Sequence, residues 1–224
     1  MNKLKNPVIL FPLPNTVFYP NTQLSLHIFE PRYRKMVEDA VDSDLLIGMV
    51  LLKVGWDKDY FGQPPVEKIG CAGKISALER LAEGKFNIVL EGLSRFRILE
   101  EYGEKPYRLA TVDFLELIND HPLQADYAAV VRNLITQYED LLERTPQNKR
   151  TQPRPNFHAC ETVSQAVDQI AHSLDWNIKK KQAFLEERNV QNRLVQIRSE
   201  VELRYQILHL SSVLKKSNAD SGLN

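Results

Sequence analysis

Six stretches of this 224-residue chain hold side chains of types that carry out chemistry. The densest is Ser25–Tyr33, "SLHIFEPRY", where His27, Glu30 and Arg32 could supply a base, a carboxylate and an anion clamp. Ser212 and Lys215 in "SSVLKK" share a helical face at a spacing that would let a lysine activate a serine. Lysines also complement the negative end of a helix dipole, and no nucleophile motif surrounds Ser212, so a solvated helix end explains them. His158 and Cys160 form an H-x-C pair without HExxH or paired CxxC, which implies no metal. "AGKI" (72–75) and "EGKF" (83–86) carry a Gly-Lys dipeptide outside any GxxxxGK[ST] frame, and "GLSRF" (92–96) lacks the last glycine of a nucleophile elbow. No catalytic, cofactor-binding or metal residues are therefore expected.

The elements that must position the first cluster decide what it is. Leu24, Leu26 and Ile28 alternate as one face of a half-buried strand, with Ser25, His27 and Phe29 on the other. Pro31 then suits the first position of a helix whose apolar face is Tyr33, Met36, Val37, Ala40 and Val41, ending at "DSD". At about 3.3 Å per strand residue, His27 and Glu30 stand about 10 Å apart, so spacing alone provides no His–Glu pair. The segment reads as a strand-to-helix joint, with a hydrogen-bonded His27 and a Glu30 that meets the helix N-terminus or an arginine such as Arg32.

Composition bounds the rest. Hydrophobic residues are 43% and charged residues 26%, an ordinary globular usage. The 29 basic and 29 acidic residues cancel, and they do so in each half, which removes the main driving force for binding nucleic acid or anionic membrane. Pro12 and Pro14 interrupt the N-terminal apolar run and its longest successor, Leu45–Leu52, is too short to span a bilayer as a helix. Cys71 and Cys160 form no disulfide pattern. A soluble, cytoplasmic protein is expected.

The hydrophobic period changes near residue 120. Before it, alternating sets such as Phe86, Ile88 and Leu90, the continuous run at 45–52, and turns at 42–44, 82–85 and 102–106 predict a mostly antiparallel sheet curled into a barrel or sandwich. Residues 54–69 form a long loop carrying Trp56, Tyr60 and Phe61. Arg95 and Arg97 share a strand face, either pairing with Glu30 or Glu91 or presenting a modest anion-binding surface. Beyond 120, Leu123, Tyr127, Val130, Leu134, Tyr138 and Leu141 predict one helix, Val163, Val167, Ile170 and Leu174 a second, and Ile178, Gln182 and Leu185 a short third. The last helix carries a stripe from Val190 to Leu208 and a second at Leu203, Ile207, Leu210 and Leu214, to be buried against the β part or against another chain. The expected division is a β-rich part at 1–118, a helical part at 119–216 and a disordered tail at 217–224.

Val8–Val41, "VILFPLPNTVFYPNTQLSLHIFEPRYRKMVEDAV", resembles the opening of the Lon protease N-terminal domain family. Ile69–Glu100, with its "G-x-x-R-F-R-I" strand, and "VDQIAHSL" with "KKQAFLEERNVQNRLVQI" in the helical half extend the likeness over nearly the whole chain. The family motif falls on Phe11, Pro12, Pro14, Pro20, His27, Glu30, Pro31, Arg32, Tyr33 and Arg95, all expected to be structural. The resemblance implies an α+β fold, a PUA-like antiparallel β pseudo-barrel with one inserted helix followed by a helical bundle. In full-length Lon proteases this domain helps to recognise protein substrates and to assemble the hexamer, while ATP hydrolysis and peptide cleavage lie in later domains. A related fold in cereblon docks partner proteins. The chain is thus expected to be a stand-alone, non-catalytic module that binds proteins or unfolded polypeptides, with a protease or a second copy of itself, through the last helix, as further partners. Phe18, Tyr19, Trp56, Tyr60 and Phe61 are its candidate contact residues, unless they pack beneath their loops. The alternatives are an RNA-binding PUA-like module, against which the charge balance argues, and a protease-associated hydrolase or regulatory subunit.

Overall fold

The structure is a computed structural model that describes residues 7–59, 62–102, 105–123, 127–145 and 155–221, and only the backbone of 59, 127 and 211–221. The chain forms two compact units, Met1–Ile118 with Leu174–Arg188, and Asn119–Ser173 with Asn189–Asn224.

The first unit contains strands β1 (Val8–Leu13), β2 (Gln23–Ile28), β3 (Ile47–Leu51), β4 (Ile69–Arg80), β5 (Phe86–Tyr102) and β6 (Arg108–Phe114), with helix α1 (Pro31–Ser43) between β2 and β3. Sheet order is β2-β5-β4-β3-β1-β6, and β6 also pairs with β5, closing five strands into a ring. Inside that ring sit Val8, Leu10, Val50, Leu52, Ala72, Phe96, Ile98, Ala110 and Val112, alternate residues of their strands. Closure requires strong local twist, which the register breaks supply between Ala72 and Gly73, between Ile75 and Ala77, and between Ile98 and Glu100. At Gly70 a Cβ would lie 2.5 Å from the Met49 carbonyl oxygen and 2.7 Å from the Phe96 ring, so only glycine lets this strand pass the central aromatic. The predicted α+β architecture holds, with one departure from the antiparallel pattern: β1 and β3 are parallel, Ile9 facing Ile47 through Leu13 facing Leu51. Pro12 is tolerated because the β6 ladder on β1 covers only Val8 to Leu10.

Helix α1 begins at Pro31 and ends at Asp44, whose left-handed φ of 51° returns its N–H to the Ala40 carbonyl. Its buried face is Tyr33, Met36, Val37 and Ala40, and the Tyr33 ring lies 4.4 Å from that of Phe11. On its other side Asp39 accepts hydrogen bonds from Tyr107 Oη (2.6 Å) and Lys105 Nζ (2.8 Å), tying α1 to the start of β6, and pairs with Lys35 (2.9 Å). These bonds, that of Lys105 foremost, hold the Asp39 carboxyl well below the usual carboxylate range.

Helix α4 (Ile178–Glu186), predicted with the helical part, folds with the sheet instead. Its N-terminus is capped by Asn177, whose Oδ1 accepts the Lys180 N–H at 2.9 Å. Arg95 Nε, on a side chain 1% exposed, donates at 2.9 Å to the Leu185 carbonyl at the other end. Gln182 donates to the Ile69 carbonyl at 3.0 Å, and Phe184 meets Tyr19 and Trp176 at ring distances of 5.8 and 5.3 Å. Arg95 and Arg97, expected to share a strand face and either pair with Glu30 or Glu91 or present an anion-binding surface, differ in exposure: Arg97 is exposed, whereas Arg95 is buried and donates to α4. Amphipathic spacing reveals which face of a helix is apolar and says nothing of what covers it.

The second unit packs α2 (Tyr127–Arg144), α3 (Val163–Ser173) and α5 (Val190–Ser221). Val131 replaces the expected Val130 in the buried stripe of α2, since Val130 is 38% exposed. Tyr138 and Ser173 join α2 to α3 at 2.7 Å, and Asp120 receives the Ser164 N–H at 3.0 Å. Arg193 of α5 and Asp168 of α3, both fully buried, form an ion pair within the helical core. The backbone of α5 continues to Ser221, into the stretch expected as a tail. Its second apolar stripe is not covered: Leu203, Ile207 and Leu210 are 52%, 56% and 61% exposed, which overturns the expectation of burial against the β part. Leu214 lies among residues whose side chains are not described.

Two changes test this account. A Cβ at Gly92 would meet the Tyr19 carbonyl oxygen at 2.2 Å, so Gly92→Ala should destabilise the fold by about 2 kcal/mol or more in urea titration. Because the Asp39 carboxyl is depressed, its contribution is complete above the ordinary carboxylate pKa and fades as pH falls toward the folded value. Asp39→Asn should cost about 1 kcal/mol at pH 7, after allowance for solvent screening, and the difference from wild type should shrink below about pH 4.

Candidate functional site

The strand-to-helix joint brings its polar residues into two separate arrangements. On the outer face of the sheet, cross-strand register sets His27 opposite Asn87 and Asn87 opposite Glu79. Asn87 Nδ2 donates to Glu79 Oε2 at 2.7 Å, a carboxylate that can only accept, so Asn87 Oδ1 is the atom turned to His27 Nδ1 at 2.8 Å. His27 Nδ1 is therefore the donor in this bond, and in the neutral tautomer that donates there Nε2 is the acceptor. The exposed Phe29 ring stacks beside it at 6.0 Å. Ser25, His27, Ala77, Glu79, Asn87 and Val89 line a shallow groove of about 590 Å³ here.

Glu30 belongs to the second arrangement. It precedes α1, makes no side-chain cap, and pairs with Arg32 Nε at 3.1 Å, while the Arg32 guanidinium lies 4.6 Å from the Tyr33 ring centre. Arg32, Tyr33, Tyr102, Lys105, Tyr107 and Arg108 line a cavity of about 430 Å³. Each cation there already has a carboxylate: Arg32 has Glu30, Lys105 has Asp39 at 2.8 Å, and Arg108 has Glu101 at 3.5 Å. Such a cavity offers hydrogen bonds and aromatic surface without surplus positive charge. His27 thus stands with Asn87, apart from the Glu30–Arg32 pair.

The remaining sequence candidates fall in three classes. Phe11, Pro12, Pro20, Tyr33 and Arg95 are buried, and Pro14 is half-buried. Phe18 and Tyr19 were expected as contact residues, but they are 1% and 0% exposed and belong to the core. Tyr19 donates to the Lys181 carbonyl at 2.8 Å, beneath α4. The burial of Tyr19 was hidden because the helix that covers it lies more than 150 residues away. Trp56 is half-buried against the barrel core, and Tyr60 and Phe61 lie outside the described residues. Phe29, which sequence reading assigned only to a strand face, is 58% exposed.

Other potential chemistry is inert or undescribed. Burial pushes the Cys160 thiol up to about 11, with Asp168 adding to the shift, which disfavours its thiolate at neutral pH. Ser94 donates to the Arg95 carbonyl within β5. The side chains of Ser212 and Lys215 lie outside the described residues. In the second unit, α2 and α5 flank a groove of about 940 Å³ lined by residues such as Leu134, Gln137, Arg198, Tyr205 and His209. No helix among the described residues is long and apolar enough to cross a membrane.

Comparison with known proteins sets these surfaces in context. The model of the ATP-dependent protease La (LON) substrate-binding domain matches residues 7–202. Lon protease 2 of Myxococcus xanthus is 28% identical over 95% of this chain and 26% of its own length. Lon protease 1 of Thermus thermophilus is 29% identical over 87% of this chain and 24% of its own. The chain thus spans about a quarter of the curated relatives it matches. Among solved structures, a Lon N-terminal domain protein from Xanthomonas campestris superposes with a TM-score of 0.62 at 19% identity, covering 87% of this chain and 98% of that one. The N-terminal domain of the Mycobacterium avium complex Lon protease gives 0.58 at 18%, covering 88% and 98%. At those identities the likeness is one of fold.

Proposed function

Because this chain belongs to the LON substrate-binding domain family, we propose that it is a non-catalytic recognition module that binds segments of protein or unfolded polypeptide without cleaving them. The observation that carries this reading is the match over residues 7–202 to a domain described by substrate binding. Two features of the first unit support it. Its outer face offers an exposed aromatic, Phe29, beside a histidine oriented by its bond to Asn87, a pairing suited to peptide side chains and main chain together. Its polar cavity has balanced charge, which suits neutral polypeptide better than a phosphate backbone. Trp56, with Tyr60 and Phe61, remains a second set of contact candidates on the same unit.

Self-association is the next partner in this reading. Leu203, Ile207 and Leu210 make an apolar strip on α5, of the kind chains bury against one another. Sedimentation should show a concentration-dependent assembly that Leu203→Glu with Ile207→Glu abolishes, and a wild-type monomer at all concentrations would remove this partner.

The main proposal is tested with a fluorescently labelled globular protein that has been reduced and carboxymethylated. Anisotropy should rise with the unfolded probe and not with its folded parent, and gels should show the probe intact. Phe29→Ala should weaken binding about fivefold, the equivalent of about 1 kcal/mol of lost contact. Absence of binding to the unfolded probe, or cleavage of it by the purified chain, would overturn the reading.

A further inference from the structure

Strand β2 pairs with β5 on one side, and among the described residues no strand occupies its other side. Which main-chain groups face outward follows from the phase of the ladder. The Gly92 N–H bonds to the Thr22 carbonyl at 2.9 Å, so Thr22 turns toward β5. Alternation then turns Leu24, Leu26 and Ile28 inward and Gln23, Ser25 and His27 outward. An independent contact agrees: the Val89 carbonyl, opposite Ser25, accepts Ser76 Oγ from β4 at 3.1 Å and so points away from β2. Gln23, Ser25 and His27 therefore present N–H and C=O groups along the open edge.

Open edges in soluble proteins are ordinarily blunted by lysine, proline, an inward charge or a bulge. Strand β2, Gln-Leu-Ser-Leu-His-Ile, has none of these, and its register with β5 is unbroken from Gln23 to Ile28. The bulges of this sheet lie in β4, β5 and β6, away from that edge. Side chains on the two faces of β2 differ. Leu24 and Leu26 are half-buried on one face, whereas Ser25 and His27 are exposed on the other, where they line the shallow groove.

We infer that the open edge of β2 binds an extended segment of a non-native polypeptide as an added antiparallel strand. The segment is apolar at the alternate residues that meet Leu24 and Leu26, and carries a donor such as a threonine or serine hydroxyl at those that meet His27. Main-chain bonds to Gln23, Ser25 and His27 would provide affinity independent of sequence, and the alternation would set the preference. This inference rests on the proposed polypeptide-binding function and assigns it a place.

The test is amide hydrogen exchange on the full chain, read residue by residue, with a blocked peptide of alternating valine and threonine as probe. Without peptide, the Ser25 and His27 amides should exchange rapidly and those of Leu24 and Leu26 slowly; with peptide, Ser25 and His27 should become protected. Ser25→Pro deletes one outward N–H and leaves the β5 ladder whole, so it should weaken binding of the peptide and of the unfolded protein probe about tenfold. Exchange at Ser25 and His27 that is slow without peptide, or unchanged with peptide bound, overturns the inference without requiring any variant to fold. A folded Ser25→Pro chain that binds the unfolded probe as tightly as wild type refutes the edge while leaving the polypeptide-binding reading intact. A wild-type chain that binds neither probe refutes both.

Discussion

Strand β5 is the constraint on which the first unit depends. It is 17 residues long, and β4 pairs with it along one side while β2 and β6 share the other, β2 from Phe86 to Glu91 and β6 from Phe96 to Tyr102. Were β5 shorter, β6 could not both pair with β1 and return to close the ring, and the interior around Phe96 would open to water. The same division leaves β2 beyond the closed part, with one ladder made and one edge unmade. Closing a barrel usually abolishes edges; here, among the described residues, β2 keeps one along its whole length.

Helix α4 is held to this barrel by polar bonds at its ends and aromatic packing in its middle. A guanidinium buried as deeply as that of Arg95 is costly unless charge-assisted hydrogen bonds compensate for lost water. The C-terminal carbonyls of a helix suit it, because they are short of donors and sit at the negative end of the dipole. The bond to Leu185 therefore meets two needs at once, and it explains how a helix late in the chain is recruited to a sheet formed early in it. Arg193 and Asp168 play a comparable part in the second unit, where a fully buried pair sets how α3 and α5 face each other.

The histidine, glutamate and arginine of the joint illustrate how proximity in sequence can mislead about chemistry. A strand sends successive side chains to opposite faces, and the helix that follows turns its first residues elsewhere again. His27 ends in a row with Asn87 and Glu79, and Glu30 ends with Arg32 at the start of α1. What results is an exposed aromatic beside a hydrogen-bonded histidine, and a run of main-chain groups turned away from β5, all on one strand and its end.

Much of this was written in the sequence by itself. Period-two alternation at Leu24–Ile28 and Phe86–Leu90, Pro31 at a helix start, and the stripe Val163–Leu174 each depend on bonds between near neighbours, and so local residue order determined them. The quoted motifs from Val8 to Ile197 likewise sufficed for the family and the α+β class. Tertiary structure alone decided which surfaces remain open. Phe18 is buried and Tyr19 is covered by residues near 181–184, Leu203 and Ile207 are left uncovered, β1 runs parallel to β3, and α4 joins the sheet. Exposure and strand pairing are made by partners distant in the chain, and the spacing of residues along one segment carries no record of what another segment brings against it.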